Sequence, residues 1–260
     1  MIQMEILIER AGNVLAQACH EETVCLTYND TYQPEDELVF RSQYSGYFWV
    51  QLEDTLMPVL TYFAGGEFRF PVPFGDKKVC YSPKSFTGNQ HLLMARRARP
   101  EEALERRNLA CNVLDHHENT TLYPHAKANV ETRGEAWFAA RNAIDGCIAS
   151  AGHGMYPYGS WGINRRDDAE ITILFGRNVY VDELVVTLRA DFPHDNWWKC
   201  AEFRFSDGSC ETLQFEKTGV PQRFKISPRI INSVTMCHMQ KDPDDPSPFP
   251  ALRQLEVWGR

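Results

Sequence analysis

The sequence predicts an all-β protein built as two β-sandwich domains. Three observations carry this. Short runs of alternating apolar and polar residues recur along nearly the whole chain, bounded by Gly, Pro, Asn and Asp. Helix start and stop signals are clearest in one short stretch, residues 100–107, which divides the chain. A length of 260 residues is long for one core and comfortable for two. The expected organisation is an N-terminal sandwich over 1–99, a helical connector over 100–107 and a second sandwich over 108–260.

The elements follow in order. In 2–9, Ile2, Met4, Ile6 and Ile8 alternate with Gln3, Glu5, Leu7 and Glu9, the pattern of a half-buried strand. Strands are predicted at 23–28, 37–40, 46–52, 57–63 and 67–72, the last two joined as a hairpin through Gly65-Gly66. Residues 90–97 fit a strand or a short helix. The N-terminal aromatics are dense. Most suit a sandwich core, and Tyr44, Tyr47, Trp49, Phe74 and Tyr81 include candidates for an exposed platform. The connector opens on Pro100, has Glu101 and Glu102 in its first turn and Arg106 and Arg107 at its end, which suits a short helix and its dipole. Further strands are predicted at 170–175, 179–188, 201–205, 211–215, 222–226, 233–238 and 251–258, with Ser206-Asp207-Gly208-Ser209 as a hairpin turn.

Composition limits the partners. Hydrophobic content of 43% with 24% charged residues is that of a soluble globular chain. A net charge of −8 argues against nucleic acid or anionic membrane as the main partner. No window approaches the roughly 20 apolar residues of a membrane span. Glu5 and Glu9 interrupt the N-terminal run, so it does not read as a signal peptide, and a cytoplasmic location is expected. The eight cysteines include no CxxC pair. Reduced thiols are expected, although Cys200 and Cys210 flank a predicted hairpin and could face each other.

One loop stands out. Between two strands, residues 189–198 bring Arg189, Asp191, His194, Asp195, Asn196, Trp197 and Trp198 together. Indole faces stack on the C–H face of a sugar ring, and the polar groups can hydrogen-bond its hydroxyls. The competing reading is a Trp pair plugging one end of a sandwich, its charges solvated.

The segment from Asn108 to Gly259 resembles the discoidin-like (coagulation factor 5/8 type C) domains of the galactose-binding-like fold, a group that includes family 32 carbohydrate-binding modules. The markers occur in order. They are Asn108-Leu109-Ala110, the turn Asn142-Ala143-Ile144-Asp145-Gly146, Trp161, the strands ending in Gly176 and beginning at Val179, and the closing Leu252-Arg253-Gln254-Leu255-Glu256-Val257-Trp258-Gly259. The resemblance implies an eight-stranded jelly roll with adjacent terminal strands, ligands held by loops at one end, and a non-catalytic role. Such domains recognise sugars, lipid headgroups or proteins, and the fold does not choose among them; the loop chemistry makes a carbohydrate the expected ligand, held by the 189–198 loop with His153, Tyr156 and Tyr158 of a second loop. Arg189, Asp191 and His194 would bond hydroxyls, Trp197 or Trp198 would stack, and Trp161 would be structural. The resemblance also implies a structural calcium near Asp145. The chain departs from that pattern at Cys147 and at Gln254, where an acid is common, so a metal-free turn is the alternative. No cofactor is otherwise required.

Two other functions compete. A carbohydrate-active hydrolase needs facing carboxylates, for which Asp191 with Asp195 or Asp167 with Glu170 are candidates without a marking spacing. No HExxH, GxSxG or phosphate-cradling loop is present. A protein-interaction role would use an exposed aromatic face on the first domain.

Overall fold

The computed structural model describes residues 4–150, 152 and 154–260. Strands β1 (Met4–Arg10), β2 (Asn13–His20), β3 (Thr23–Tyr28), β4 (Asp36–Ser42), β5 (Gly46–Gln51), β6 (Val59–Phe63), β7 (Gly66–Pro71) and β8 (His91–Arg97) build the N-terminal part. One layer runs β2-β1-β4-β7 and the other β6-β5-β8-β3, all antiparallel. Alternate side chains of the two layers, such as Ile6, Phe40, Phe48, Phe63 and Leu93, meet in one apolar core.

The expected hairpin through Gly65-Gly66 is not one. β6 pairs with β5, whereas β7 pairs with β4 in the other layer. Gly65 (φ 93°) and Gly66 (φ 88°) carry the chain around a corner between layers, a backbone path cheap only for glycine. Residues 91–97 are a strand, paired with β3 and β5.

The connector forms a short helix, α1 (Pro100–Leu104). Glu102 accepts the Arg99 N–H at 2.8 Å and pairs with Arg96 at 2.6 Å. At the other end the Arg107 guanidinium donates to the carbonyls of Glu102, Ala103 and Glu105 at 3.0–3.1 Å. These bonds satisfy terminal groups that the helix itself leaves open.

The remainder comprises β9 (Arg107–Asn108), β10 (Leu122–Tyr123), β11 (His125–Ala128), β12 (Trp161–Gly162), β13 (Ile171–Leu188), β14 (Trp198–Phe205), β15 (Cys210–Gln214), β16 (Gln222–Lys241) and β17 (Ala251–Gly259). Apart from β10, they form an eight-stranded antiparallel network, β12-β17-β13-β16-β14-β15, with β11 on β13 and β9 on β17. The protein is therefore all-β, and this part is a β-sandwich with its first and last strands adjacent. Two predicted strand pairs are each one long bent strand. β13 shifts register between Leu174 and Val179, where Gly176 has φ 67° and a Cβ would stand 2.3 Å from the Tyr123 ring. β16 carries Pro228 beside the shift between Val181 and Glu183, a bulge position that tolerates a missing N–H. The bent strands enclose a core that includes Trp161, Phe175, Leu184, Trp198, Phe203 and Val257.

The two cores meet through shared chain. β10 extends the N-terminal sheet at β6, and Val113, Leu114 and Leu122 join the N-terminal core. Arg177 lies 4.5 Å from the Tyr47 ring centre and 4.9 Å from that of Tyr62, and its Nε donates to Tyr47 Oη at 2.7 Å. Arg107 also faces Tyr47, Arg97 faces Tyr44 and Arg96 faces Trp49. Arginines thus stand over most of the aromatics considered for a platform, and Tyr81 is in the core. Cys200 lies opposite Gln214 and Cys210 opposite Arg204, so these thiols do not face each other, and all eight cysteines are free.

Candidate functional site

The loop between β13 and β14 crosses one end of the C-terminal sandwich, and much of its polar chemistry is turned inward. The buried Asp195 carboxylate accepts Arg189 Nε at 2.8 Å, Arg189 Nη2 at 2.5 Å and the Asp191 N–H at 2.9 Å. His194 Nδ1 lies 2.9 Å from the same carboxylate. Arg189 is 4% exposed, donates to Ser160 Oγ at 3.2 Å and stands over the Tyr158 ring at 4.9 Å. Two parallel bonds match the guanidinium fork to the carboxylate. Each charge is tolerated in the interior because the other is beside it.

Asn196 ties this loop to the next. Its Nδ2 donates to the carbonyls of Asp242, Asp245 and Ser247 at 3.3, 3.2 and 2.6 Å. The half-buried Trp197 anchors its indole N–H on Asp242 Oδ2 at 3.0 Å. Trp198 is wholly buried against Trp161, their ring centres 6.4 Å apart, and offers no face to a ligand. Tyr158 is also buried. Burial pushes its hydroxyl up to about 12, with Arg189 opposing and Asp195 and Asp191 adding to the shift.

What remains at the surface is narrower than the sequence suggests. His194, with its side chain 41% exposed, stacks nearly parallel (7°) on Phe249 at 5.3 Å. Arg165 lies 4.7 Å from the same Phe249 ring centre. The Ser247 hydroxyl donates to the His194 carbonyl, closing the two loops on each other. Asp191, whose N–H is held by the Asp195 carboxylate, is partly exposed. Tyr156 is exposed, but its electrostatic neighbours are Cys147, Asp145 and Arg253, not the Arg189 group. His153 lies outside the described residues. Sequence reasoning passed over Phe249 and Arg165. The only available signal for Phe249 was an aromatic within the Pro-rich 241–250 loop.

The turn at Asp145 bears on calcium. Asp145 Oδ1 accepts the Cys147 N–H at 2.8 Å and Gln254 Nε2 at 2.6 Å. The same Gln254 amide donates to the Asn142 carbonyl at 2.6 Å, and the Gly146 N–H donates to Gln254 Oε1 at 3.1 Å. A donor N–H₂ therefore stands between the two oxygens that a calcium ion would have to share. Burial raises the Asp145 pKa, with Arg141 and Arg253 opposing it. As it stands, the donor set does not fit calcium.

The carboxylate pairs considered for hydrolysis are engaged elsewhere. Asp195 is held by Arg189, Asp167 pairs with Lys241 at 3.2 Å and Glu170 with Arg204 at 2.6 Å. A cleft of about 1300 Å³ opens away from the loop, lined by residues that include Phe74, Tyr81, Trp137, Glu35, Asp76 and His117. Its walls come from distant parts of the chain, which hides it from a reading in sequence order. No helix among the described residues is long and apolar enough to cross a membrane.

No protein-family model and no curated protein matches the chain. Among solved structures, the chain is similar to chitosan-binding module 1 of a chitosanase/glucanase from Paenibacillus sp. IK-5. The identity is 20%, covering 60% of this chain and 100% of that one, with a TM-score of 0.41. It is similar to the family 32 carbohydrate-binding module of C. perfringens NanJ, solved with galactose, at 18% identity over 51% and 91% of the two chains and a TM-score of 0.39. It is also similar to the lectin domain of lectinolysin, solved with Lewis B antigen, at 15% identity over 59% and 97% and a TM-score of 0.44.

Proposed function

We propose that this protein binds a carbohydrate, without transforming it, through the paired loops 189–198 and 241–250 at one end of its C-terminal sandwich. One observation carries the reading: an exposed imidazole stacked on Phe249 and fixed from beneath by the buried Arg189–Asp195 pair. A rigid polar edge beside an aromatic face suits a sugar, which offers hydroxyls at its rim and C–H groups on its faces. His194 and Asp191 bond hydroxyls in this reading, and the half-buried Trp197 takes the C–H face, since the Phe249 ring already carries His194 and Arg165. Arg189, Asp195 and Asn196 position the loop and do not touch the sugar. The chain is read as two units joined by α1, and the Asp145 turn as metal-free.

The test is a titration of the full chain with a panel of mono- and oligosaccharides, followed by Trp fluorescence and amide NMR. Few polar contacts on an open surface correspond to a Kd of about 1 mM, or about −4 kcal/mol. Loss of one hydroxyl contact in His194→Ala weakens binding by about 5-fold. Silence across the panel would sink the proposal and favour a protein partner.

A further inference from the structure

The N-terminal sandwich buries a polar cluster that its own hydrogen bonds leave incomplete. Glu53 follows the end of β5 and His91 opens β8, so the two meet at one end of the five-stranded layer. Glu53 is 1% exposed and His91 4%. One Glu53 oxygen is fully used: Oε1 accepts the Phe86 N–H at 3.1 Å and the Thr55 hydroxyl at 3.2 Å. The other, Oε2, has no hydrogen-bond partner, nor has either nitrogen of His91, nor the nearby Tyr32 hydroxyl. The Tyr32 ring lies 4.0 Å from that of His91.

Buried polar atoms are nearly always paired, and an unpaired one costs about 1–3 kcal/mol. Several such atoms in one place point to an occupant that supplies the missing partner. The geometry says which kind. His91 Nδ1 and Glu53 Oε2 are 3.4 Å apart, within ion-pair range if the imidazole is protonated, but make no hydrogen bond. In a tetrahedral zinc site with bonds of about 2.0–2.1 Å, two ligand atoms stand about 3.3–3.4 Å apart. A third ligand is present: Asp54 offers a carboxylate oxygen, and the three ligand atoms lie within 4.8 Å of one another. Asp54 is exposed, so it stands where an ion enters. Holding one carboxylate oxygen on backbone and hydroxyl donors while the other stays free is how outer groups orient a metal ligand.

We propose that Glu53, His91 and Asp54 form a binding site for a divalent transition-metal cation, with Zn²⁺ the best match. One imidazole with two carboxylates suits zinc better than calcium, which takes oxygen alone. The site is independent of the sugar-binding reading. The second acid–imidazole–thiol group, Glu202 with Cys237 and His238, carries no such proposal, because Arg204 Nε sits 3.0 Å from the Cys237 sulfur and opposes a cation there.

The experiment uses the full chain, freed of metal by chelation and then desalted. Zn²⁺ is titrated in by calorimetry, and the histidine ring nitrogens are followed by ¹⁵N NMR. The expected result is one equivalent bound, with the His91 ring nitrogens shifted. Loss of a direct ligand in His91→Ala or Glu53→Gln weakens binding by more than about 100-fold. Both residues are buried, so Asp54→Asn at the exposed ligand provides a variant that keeps the fold and is expected to bind at least about 10-fold more weakly. The wild-type NMR needs no variant at all. The proposal is overturned if Zn²⁺ in excess leaves the His91 nitrogens unmoved, or if binding survives Asp54→Asn and Glu53→Gln but is lost in His238→Ala.

Discussion

Asp195→Asn tests whether the Arg189–Asp195 pair holds the loop as described. The substitution keeps the shape of the side chain but removes its charge and one acceptor. Arg189, 4% exposed, is left as a buried cation facing an amide whose N–H₂ cannot accept from it. Breaking one side of a buried pair typically costs about 3–5 kcal/mol. Arg189 retains Ser160 Oγ and the Tyr158 ring, and the Asp191 N–H can turn to water, so about 3 kcal/mol is expected. For a chain of this size that is a fall in Tm of roughly 6–12 °C, read by circular dichroism or calorimetry. The double variant Arg189→Met/Asp195→Leu removes both charges and should recover most of the loss, because apolar replacements of such pairs are often neutral. Any sugar affinity should fall with the single variant, since His194 loses its anchor. A fall of less than about 2 °C in Asp195→Asn would refute the reasoning, because a desolvated, uncompensated guanidinium cannot be that cheap.

Four further outcomes follow from the structure. Gln254→Glu sets a carboxylate against Asp145 and the Asn142 carbonyl, so its Tm should fall without Ca²⁺ and rise when Ca²⁺ is added. Wild-type Tm should not respond to Ca²⁺, and a response would show that the Gln254 amide does not take the cation's place. Glu183 is pushed up by burial but brought down to about 2 by Arg106, Lys225 and Arg223, which bond it at 2.6–3.0 Å. A lowered folded-state pKa stabilises above the unfolded value of about 4.3 and is lost as pH falls toward 2. The partners are partly exposed and screened, so about 1 kcal/mol is expected to vanish across that window in wild type, and acid titration of Glu183→Gln should lack it. Gly176→Ala should cost more than about 2 kcal/mol in denaturant unfolding, because the left-handed backbone and the Tyr123 ring both oppose a Cβ.

The strands were legible wherever one face is apolar and the other polar. Thr23–Tyr28 alternates buried and exposed residues along its length, and its bounds coincide with the predicted 23–28. The edge strand Asn13–His20 is harder to read, since its inward side chains are the small Ala16 and Ala18 and its other face mixes Leu15, Gln17 and Cys19, so no clear apolar–polar alternation marks it. Gly65-Gly66 reads as a turn in either case, and only the pairing of its neighbours decides between hairpin and corner. Gly176 and Pro228 break the periodicity without ending the ladder, so two long strands read as four.

The candidate site was legible as a concentration of chemistry but not as a division of labour. Sequence cannot show that Arg189 and Asp195 satisfy each other, and an Arg spent on a buried carboxylate looks the same as one aimed at a ligand. Phe249 meets His194 where Asn196 and the Ser247 hydroxyl tie residues 242–247 to the 189–198 loop, a pairing that sequence order does not show. Glu53 follows β5 and His91 opens β8, each unremarkable alone, and only the pairing of those two strands brings them to 3.4 Å.

The most direct test of the central claim is an amide and side-chain chemical-shift map of the wild-type chain with a saturating sugar. The account predicts perturbations at His194, Trp197 and Phe249, with Trp198 moved less because it is buried. Perturbations confined to Phe74, Tyr81 and Trp137 would place the ligand in the cleft and contradict it, and a spectrum unmoved by every sugar would end the carbohydrate reading.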